Sequence, residues 1–216
     1  MSSVKFRDEP KGEITLRLQN TQIFKTKRVQ GQIVTQVPKS VFSAEPVRKL
    51  GARGHWFELR VDEFFGGEMS LLGIGYTLTD PEAYVEETPL PPRAYNIPRT
   101  YMAGYTRSCY WADGERLQAD DIWALVKPAK VFTVGALVTP TGSLEIYVNR
   151  KLACQIDPTV RGLQPIPAEE PLYAVVDALN GLGKATLVAN SLPPTEEEAA
   201  AAGGGGGAAE GGEAAA

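Results

Sequence analysis

The sequence predicts an all-β protein, on three observations. Val131–Thr139 alternates as a strand does: Phe132, Val134, Ala136 and Val138 point one way, with Thr133, Gly135, Leu137 and Thr139 between them. Pro140-Thr141-Gly142 then turns the chain, and Leu144, Ile146 and Val148 repeat the alternation on the return. Successive strand residues face opposite sides, so the pair reads as a half-buried antiparallel hairpin. Third, a turn at Asn149-Arg150-Lys151 leads to Leu152, Cys154 and Ile156. Two further β-rich runs, Pro171–Asp177 and Lys184–Val188, are joined through Asn180-Gly181-Leu182-Gly183.

Taken in order, the first strand falls in Glu13–Leu18, where Ile14, Leu16 and Leu18 alternate with Thr15 and Arg17. Lys25, Lys27 and Arg28 read as a solvated edge, since edge charge deters pairing between chains. Gln32–Val37 is a second strand candidate, closed by Pro38. In Trp56–Phe64, Phe57, Leu59 and Val61 share a face opposite Trp56, Glu58, Arg60 and Asp62. Gly66-Gly67 makes the next turn. Met69–Thr79 then puts Leu72, Ile74, Tyr76 and Leu78 on one side, while Gly73 and Gly75 leave the other nearly bare, the signature of close approach by another backbone or of a bulge. Asp80-Pro81 ends that strand. Glu82–Arg99 carries Pro89, Pro91, Pro92 and Pro98 and reads as a long surface loop. Asp113-Gly114 is a turn signal. Asp120–Val126 fits a helical turn or a short strand.

The chain of 216 residues suits one domain with a real core. We divide it into an N-terminal extension, 1–12, a β domain, 13–190, and an Ala/Gly/Glu-rich disordered tail, 191–216, too poor in apolar residues to offset its ordering entropy. No run of about 18 apolar residues is present. Met1–Lys11 is polar and lacks the apolar stretch of a secretory signal. A reducing, cytoplasmic setting is expected, with no membrane partner. The formal charge of -4 owes much to five acids in the tail; the rest is close to neutral, which argues against a strong grip on nucleic acid.

Residues that carry chemistry are sparse. His55 is the only histidine, so any Ser-His-Asp or Cys-His arrangement must use it, yet it precedes a strand beside Gly54 and Trp56. Cys109 and Cys154 match no metal-ligand spacing. Gly181-Leu182-Gly183-Lys184-Ala185-Thr186 lacks the first glycine of a phosphate loop, and Ala185 stands where a hydroxyl must reach magnesium; it reads as a hairpin turn. Asp120 and Asp121 are adjacent acids that a strand would point to opposite faces. Asp177, ending an apolar run, either closes a groove or accepts from loop amides. The chain is therefore read as a non-enzyme with no cofactor and no metal.

One segment stands apart. Tyr84–Trp111 holds five of the eight tyrosines (Tyr84, Tyr95, Tyr101, Tyr105, Tyr110), with Trp111, Arg93, Arg99 and Arg107 interleaved. Tyr, Trp and Arg dominate binding hot spots because each joins contact area to polar reach. The candidate partner-binding set is Tyr95, Arg99, Tyr101, Tyr105, Arg107, Tyr110 and Trp111, with two or three of the aromatics equally fitted to fill the core.

Five stretches, in order, resemble the Neuralized homology repeat. Val41-Phe42-Ser43-Ala44-Glu45-Pro46-Val47 resembles its F-S-x-x-P-L element, Phe57–Asp62 its F-x-V-x-I strand, and Gly75–Pro81 its G-L-T-x-x-D-P turn. Leu144–Asn149 is similar to L-x-x-Y-V-N-G, with Arg150 in place of the glycine, and Pro171–Asp177 reads P-L-Y-A-V-V-D. The resemblance spans about Ile14 to Ala189. It implies an antiparallel β-sandwich of jelly-roll, SPRY and concanavalin-like shape, and a module that recognises partner proteins, often within ubiquitin ligases that also carry a RING or a SOCS box. Two cysteines cannot make a RING. The reading is a protein-binding module that uses loops at one end of the sandwich, the Tyr95–Trp111 aromatics docking a partner oriented by Arg99 and Arg107. The alternatives are a structural subunit of a large cytoskeletal (centriolar or ciliary) assembly, a substrate-recognition subunit for a ubiquitin ligase, a carbohydrate-binding sandwich and, last, a hydrolase.

Overall fold

The computed structural model describes residues 14–17, 22–25, 40–64, 72–84, 90–119, 122, 131–178, 182–195 and 197–198. Within them the alternating runs become strands β1 (Ile14–Arg17), β2 (Gln22–Lys25), β3 (Ser40–Phe42), β4 (His55–Phe64), β5 (Gly73–Thr77), β6 (Thr100–Gly104), β7 (Cys109–Ala112), β8 (Glu115–Gln118), β9 (Phe132–Val138), β10 (Leu144–Val148), β11 (Lys151–Ile156), β12 (Tyr173–Asp177) and β13 (Leu182–Leu187). A seven-stranded sheet runs β1-β2-β13-β4-β9-β10-β11, and a six-stranded sheet runs β3-β12-β5-β6-β7-β8. The pairings are antiparallel, as in the hairpin that sets Leu144 opposite Val138 and Val148 opposite Val134. Among the described residues no helix is long and apolar enough to cross a membrane.

The core lies between the sheets and is built from the faces that the alternation marks. Phe57, Leu59 and Val61 of β4 and Phe132, Val134, Ala136 and Val138 of β9 meet Ile74 and Tyr76 of β5 and Ala174 and Val176 of β12. Each fully buried large side chain contributes about 1.5–3 kcal/mol. Tyr76 is fully buried, and its hydroxyl donates across the core to the carbonyls of His55 (2.7 Å) and Ala136 (2.9 Å). His55 is the first residue of β4 rather than a loop residue, and it is buried. Its ring nitrogens face the carbonyls of Val47 (2.7 Å) and Ala168 (2.9 Å), pinning two connections to the strand.

Several local expectations change. Leu182–Thr186 forms no hairpin turn, Gly181 lying outside the described residues: β12 and β13 belong to opposite sheets, and Gly183 and Lys184 lie inside β13. Lys25 lies in β2, which pairs on both sides, so among the described residues β1 is the edge. Asn149-Arg150 closes the β10–β11 hairpin without the glycine: both take positive φ (49° and 63°), the geometry of a type I′ turn. The same geometry appears at Asp113-Gly114 (49° and 86°), between β7 and β8. The 82–99 connection is not a simple surface loop, since Ala94 and Ile97 have no exposed surface. Residues 191–195, placed in the tail by composition, lie against the seven-stranded sheet, where Pro193 and Pro194 are buried. The strand expected at Gln32–Val37, the Gly66-Gly67 turn, Lys27, Arg28 and all of Asp120–Val126 except Ile122 lie outside the described residues.

Candidate functional site

The outer face of the six-stranded sheet is shaped by what β5 lacks. Gly73 and Gly75 point outward, and a Cβ on Gly75 would stand 2.1 Å from the Tyr101 carbonyl oxygen and 2.5 Å from the Met102 Cα, a close backbone approach. A Cβ on Gly73 would stand 2.9 Å from the Tyr105 ring, which occupies that space instead. Tyr105 follows Gly104 at the end of β6 with φ +66°, a left-handed conformation that a tyrosine adopts only when its surroundings hold it there. Its hydroxyl donates to Asp177 Oδ2 at 2.8 Å, and the Ala94 N–H donates to the same oxygen at 3.1 Å.

Asp177, at the end of β12, has no exposed surface. It accepts from a loop amide, as the sequence allowed, and it also anchors an aromatic ring. Burial, and then the adjoining Asp177 carboxylate, push the Tyr105 phenol far above its ordinary range, so the ring stays a neutral donor.

Three of the predicted residues meet on this face. Tyr95 stacks on Trp111 with ring centroids 3.9 Å apart and planes at 11°. Tyr105 meets both edge-on, at 4.8 Å from Tyr95 and 6.0 Å from Trp111. Offset and edge-on pairs of this kind add about 0.5–1.5 kcal/mol each beyond the area they bury. The cluster rests on Met102, Phe42, Val175 and Ile97, and Tyr95, Tyr105 and Trp111 remain part-exposed. The Trp111 indole N–H is buried with no acceptor among the described residues.

The other four predicted residues lie elsewhere. Tyr110 has no exposed surface, because it precedes Trp111 on β7 and so faces the opposite side of the sheet, into the core; it is not available to a partner. Tyr101 likewise turns toward the core, and its phenol is raised by burial, then by Asp113. Arg99 and Arg107 do not converge. Arg99 precedes β6, donates its N–H to Asp113 (2.6 Å) and pairs with Glu170 (2.7 Å), whereas exposed Arg107 lies in the β6–β7 turn beyond Tyr105. A five-residue strand separates them, about 17 Å.

Sequence reasoning missed Met102 and Ala94 as supports of the cluster and singled out Asp177 without tying it to Tyr105. The bare glycine face of β5 was the available signal, because a trough on a sheet must be filled by something.

No protein-family model matches the sequence, and no curated protein sequence matches it. Among solved structures it is similar to the crystal structure of the Neuralized NHR1 domain of Drosophila melanogaster, at 16% identity and a TM-score of 0.59, over 87% of this chain and 99% of that one. It is also similar to the solution structure of the NEUZ (NHR) domain in Neuralized from Drosophila melanogaster, at 16% identity and a TM-score of 0.58, over 87% of this chain and 92% of that one. The all-β order, the two antiparallel sheets and these likenesses agree: the chain has the fold of the Neuralized homology repeat.

Proposed function

We propose that the chain is a non-catalytic protein-interaction module that docks another protein on the outer face of its six-stranded sheet, with Tyr95 and Trp111 as the central contacts. The observation that carries this reading is the stacked, part-exposed Tyr95–Trp111 pair, fixed from below by Tyr105 and its hydrogen bond to buried Asp177. Large aromatic rings held in one geometry contribute contact area with little ordering entropy left to lose on binding. Arg107, exposed in the same turn as Tyr105, supplies a cation at that end of the cluster. The fold supports the reading, since the sequence resemblance to this repeat implies partner recognition. Relative to the sequence-based surface, this one lies on a sheet face rather than on end loops, and it excludes Tyr110.

The test compares the proteins that co-purify with the full chain and with Tyr95→Ala, Trp111→Ala and, as a control at the other end of β6, Arg99→Ala. A partner lost in both aromatic variants and kept in Arg99→Ala, with far-ultraviolet circular dichroism and a cooperative urea transition showing a retained fold, is the expected result. Retention of every partner by both folded aromatic variants would remove this face from the function.

A further inference from the structure

The outer face of the seven-stranded sheet is covered differently, by the chain that follows β13. Val188 makes the last ladder contact, its N–H donating to the Glu58 carbonyl at 2.9 Å. Asn190, at φ +54°, then turns the chain. From Ser191 onward the segment belongs to no strand, and side chains hold it. The Trp56 indole N–H donates to Ser191 Oγ at 3.0 Å, and that hydroxyl donates in turn to the Glu58 carboxylate. Arg150 bonds both the Glu58 carboxylate (3.2 Å) and the Leu192 carbonyl (3.1 Å). Arg53 donates to the carbonyls of Pro193 (2.7 Å) and Pro194.

This is how a groove holds a bound peptide rather than how a sheet holds a strand. Three successive carbonyls are read by two guanidinium groups, and one hydroxyl sits between an indole donor and a carboxylate acceptor. The carboxylate is a built element, because Glu58 is only 4% exposed. The two prolines suit such a site, because they lose little freedom on binding and present carbonyls without an adjoining N–H. The face is also larger than its occupant. Beside the segment lies an open groove of about 1020 Å³, lined by Leu137, Tyr147 and Leu152 together with Pro194 and Pro140-Thr141.

We propose that this face is a recognition site for segments of the form Ser/Thr-x-Pro-Pro, filled here by the chain's own Ser191-Leu192-Pro193-Pro194, and that a partner's segment of the same chemistry competes for it. The site is independent of the aromatic cluster on the opposite face. Occupation in cis, at an effective concentration on the order of millimolar, sets the barrier that a partner must overcome.

The test uses the full chain and a fluorescent peptide carrying residues 189–198. In Ser191→Glu, a second carboxylate opposes buried Glu58, so the segment should be released and the Trp56 indole N–H, which donates to Ser191 Oγ in the wild type, should exchange faster with solvent. The peptide should then bind at least about tenfold more tightly than to wild type, at the millimolar scale of the competition. Adding Arg53→Ala should abolish that gain, as should a peptide with alanine at its serine position. Release of the segment without a gain in peptide binding would overturn the proposal. So would an unchanged exchange rate of the Trp56 indole N–H in Ser191→Glu, which would mean that the hydroxyl is not read. Pro193→Gly with Pro194→Gly, which alters only the occupant, is the parallel variant should Ser191→Glu fail to fold, and release of the segment without a gain in peptide binding is again the overturning result.

Discussion

Each outer face of the sandwich carries an aromatic ring laid over a glycine, yet the two faces are closed by different means. On the six-stranded sheet Tyr105 lies over Gly73, and the cover is a connection between two strands, β5 and β6, held through the buried Asp177 carboxylate. On the seven-stranded sheet Trp56 lies over Gly135, and the cover is a segment that leaves the last described strand and is held through Glu58, Arg53 and Arg150. A connection pinned at both ends needs few specific bonds, because the strands already close the loop. A segment pinned by one strand loses more freedom when it docks and needs a hydrogen bond at nearly every residue. The first arrangement makes a fixed platform; the second makes a cover that can exchange.

Substitutions sharpen this contrast, beginning with the glycines. A methyl group at Gly75 meets main chain, which cannot shift without disturbing the β5–β6 pairing. At Gly135 it meets the far edge of the Trp56 ring, 2.0 Å away, and a side chain can swing aside. Gly75→Ala should therefore cost about 3 kcal/mol and Gly135→Ala about 1–2 kcal/mol. Urea unfolding measures both, and equal losses would show that main chain and ring resist alike. Displacing Trp56 should also break its indole bond to Ser191, seen as faster exchange of the Trp56 indole N–H.

Asp177→Ala comes next. It leaves the Ala94 N–H and the Tyr105 hydroxyl without this acceptor and should cost about 2 kcal/mol. The near-ultraviolet dichroism of the Tyr95–Trp111 stack should weaken with it; an unchanged spectrum would show that the platform does not rest on the carboxylate.

The alkaline limb of stability reports on the same residue. Burial raises the phenols of Tyr105, Tyr76 and Tyr110 above the ordinary 10.0, and Asp177 adds to the shift at Tyr105. A raised folded-state pKa means that the stabilisation is complete below the unfolded value, about 10, and falls as pH rises beyond it, because the unfolded chain ionises first. Tyr105→Phe should make stability fall less steeply above about pH 10, followed by chemical denaturation at stepped pH. An identical slope would mean that this phenol ionises as readily folded as unfolded.

Arg99→Ala is the smallest expected change. Its pairing with Glu170 is nearly half exposed on both sides (49% and 47%) and should contribute about 0.5 kcal/mol or less. Arg150→Ala leaves behind a carboxylate that is 4% exposed and should exceed it, both measured by urea unfolding.

Much of the fold was legible. The alternation in Trp56–Phe64, Met69–Thr79 and Val131–Val148 marked the inward residues of β4, β5, β9 and β10, because a period of two is a local property. The sheet to which a strand belongs was not legible. β12 and β13 follow one another in sequence and lie in opposite sheets, and nothing in their alternation records it. Composition located the aromatics of the candidate site, but Tyr110 and Trp111 are neighbours whose faces only the second sheet distinguishes. Ser191–Pro194 read as tail because its own residues offer little to bury. The groups that hold it, Arg53, Glu58 and Arg150, stand 42 to 141 positions away.

By itself the sequence determined an all-β chain, its turns at Asp113-Gly114 and Asn149-Arg150, and which side chains share a face, since these depend on neighbours along the backbone. Tertiary structure alone decided that Tyr95, Tyr105 and Trp111 gather over Asp177 while Tyr110 is sealed inside, and that a serine and two prolines close the opposite face. Those outcomes depend on which sheet lies behind each strand, and pairing between distant segments leaves no periodic trace in the segments themselves.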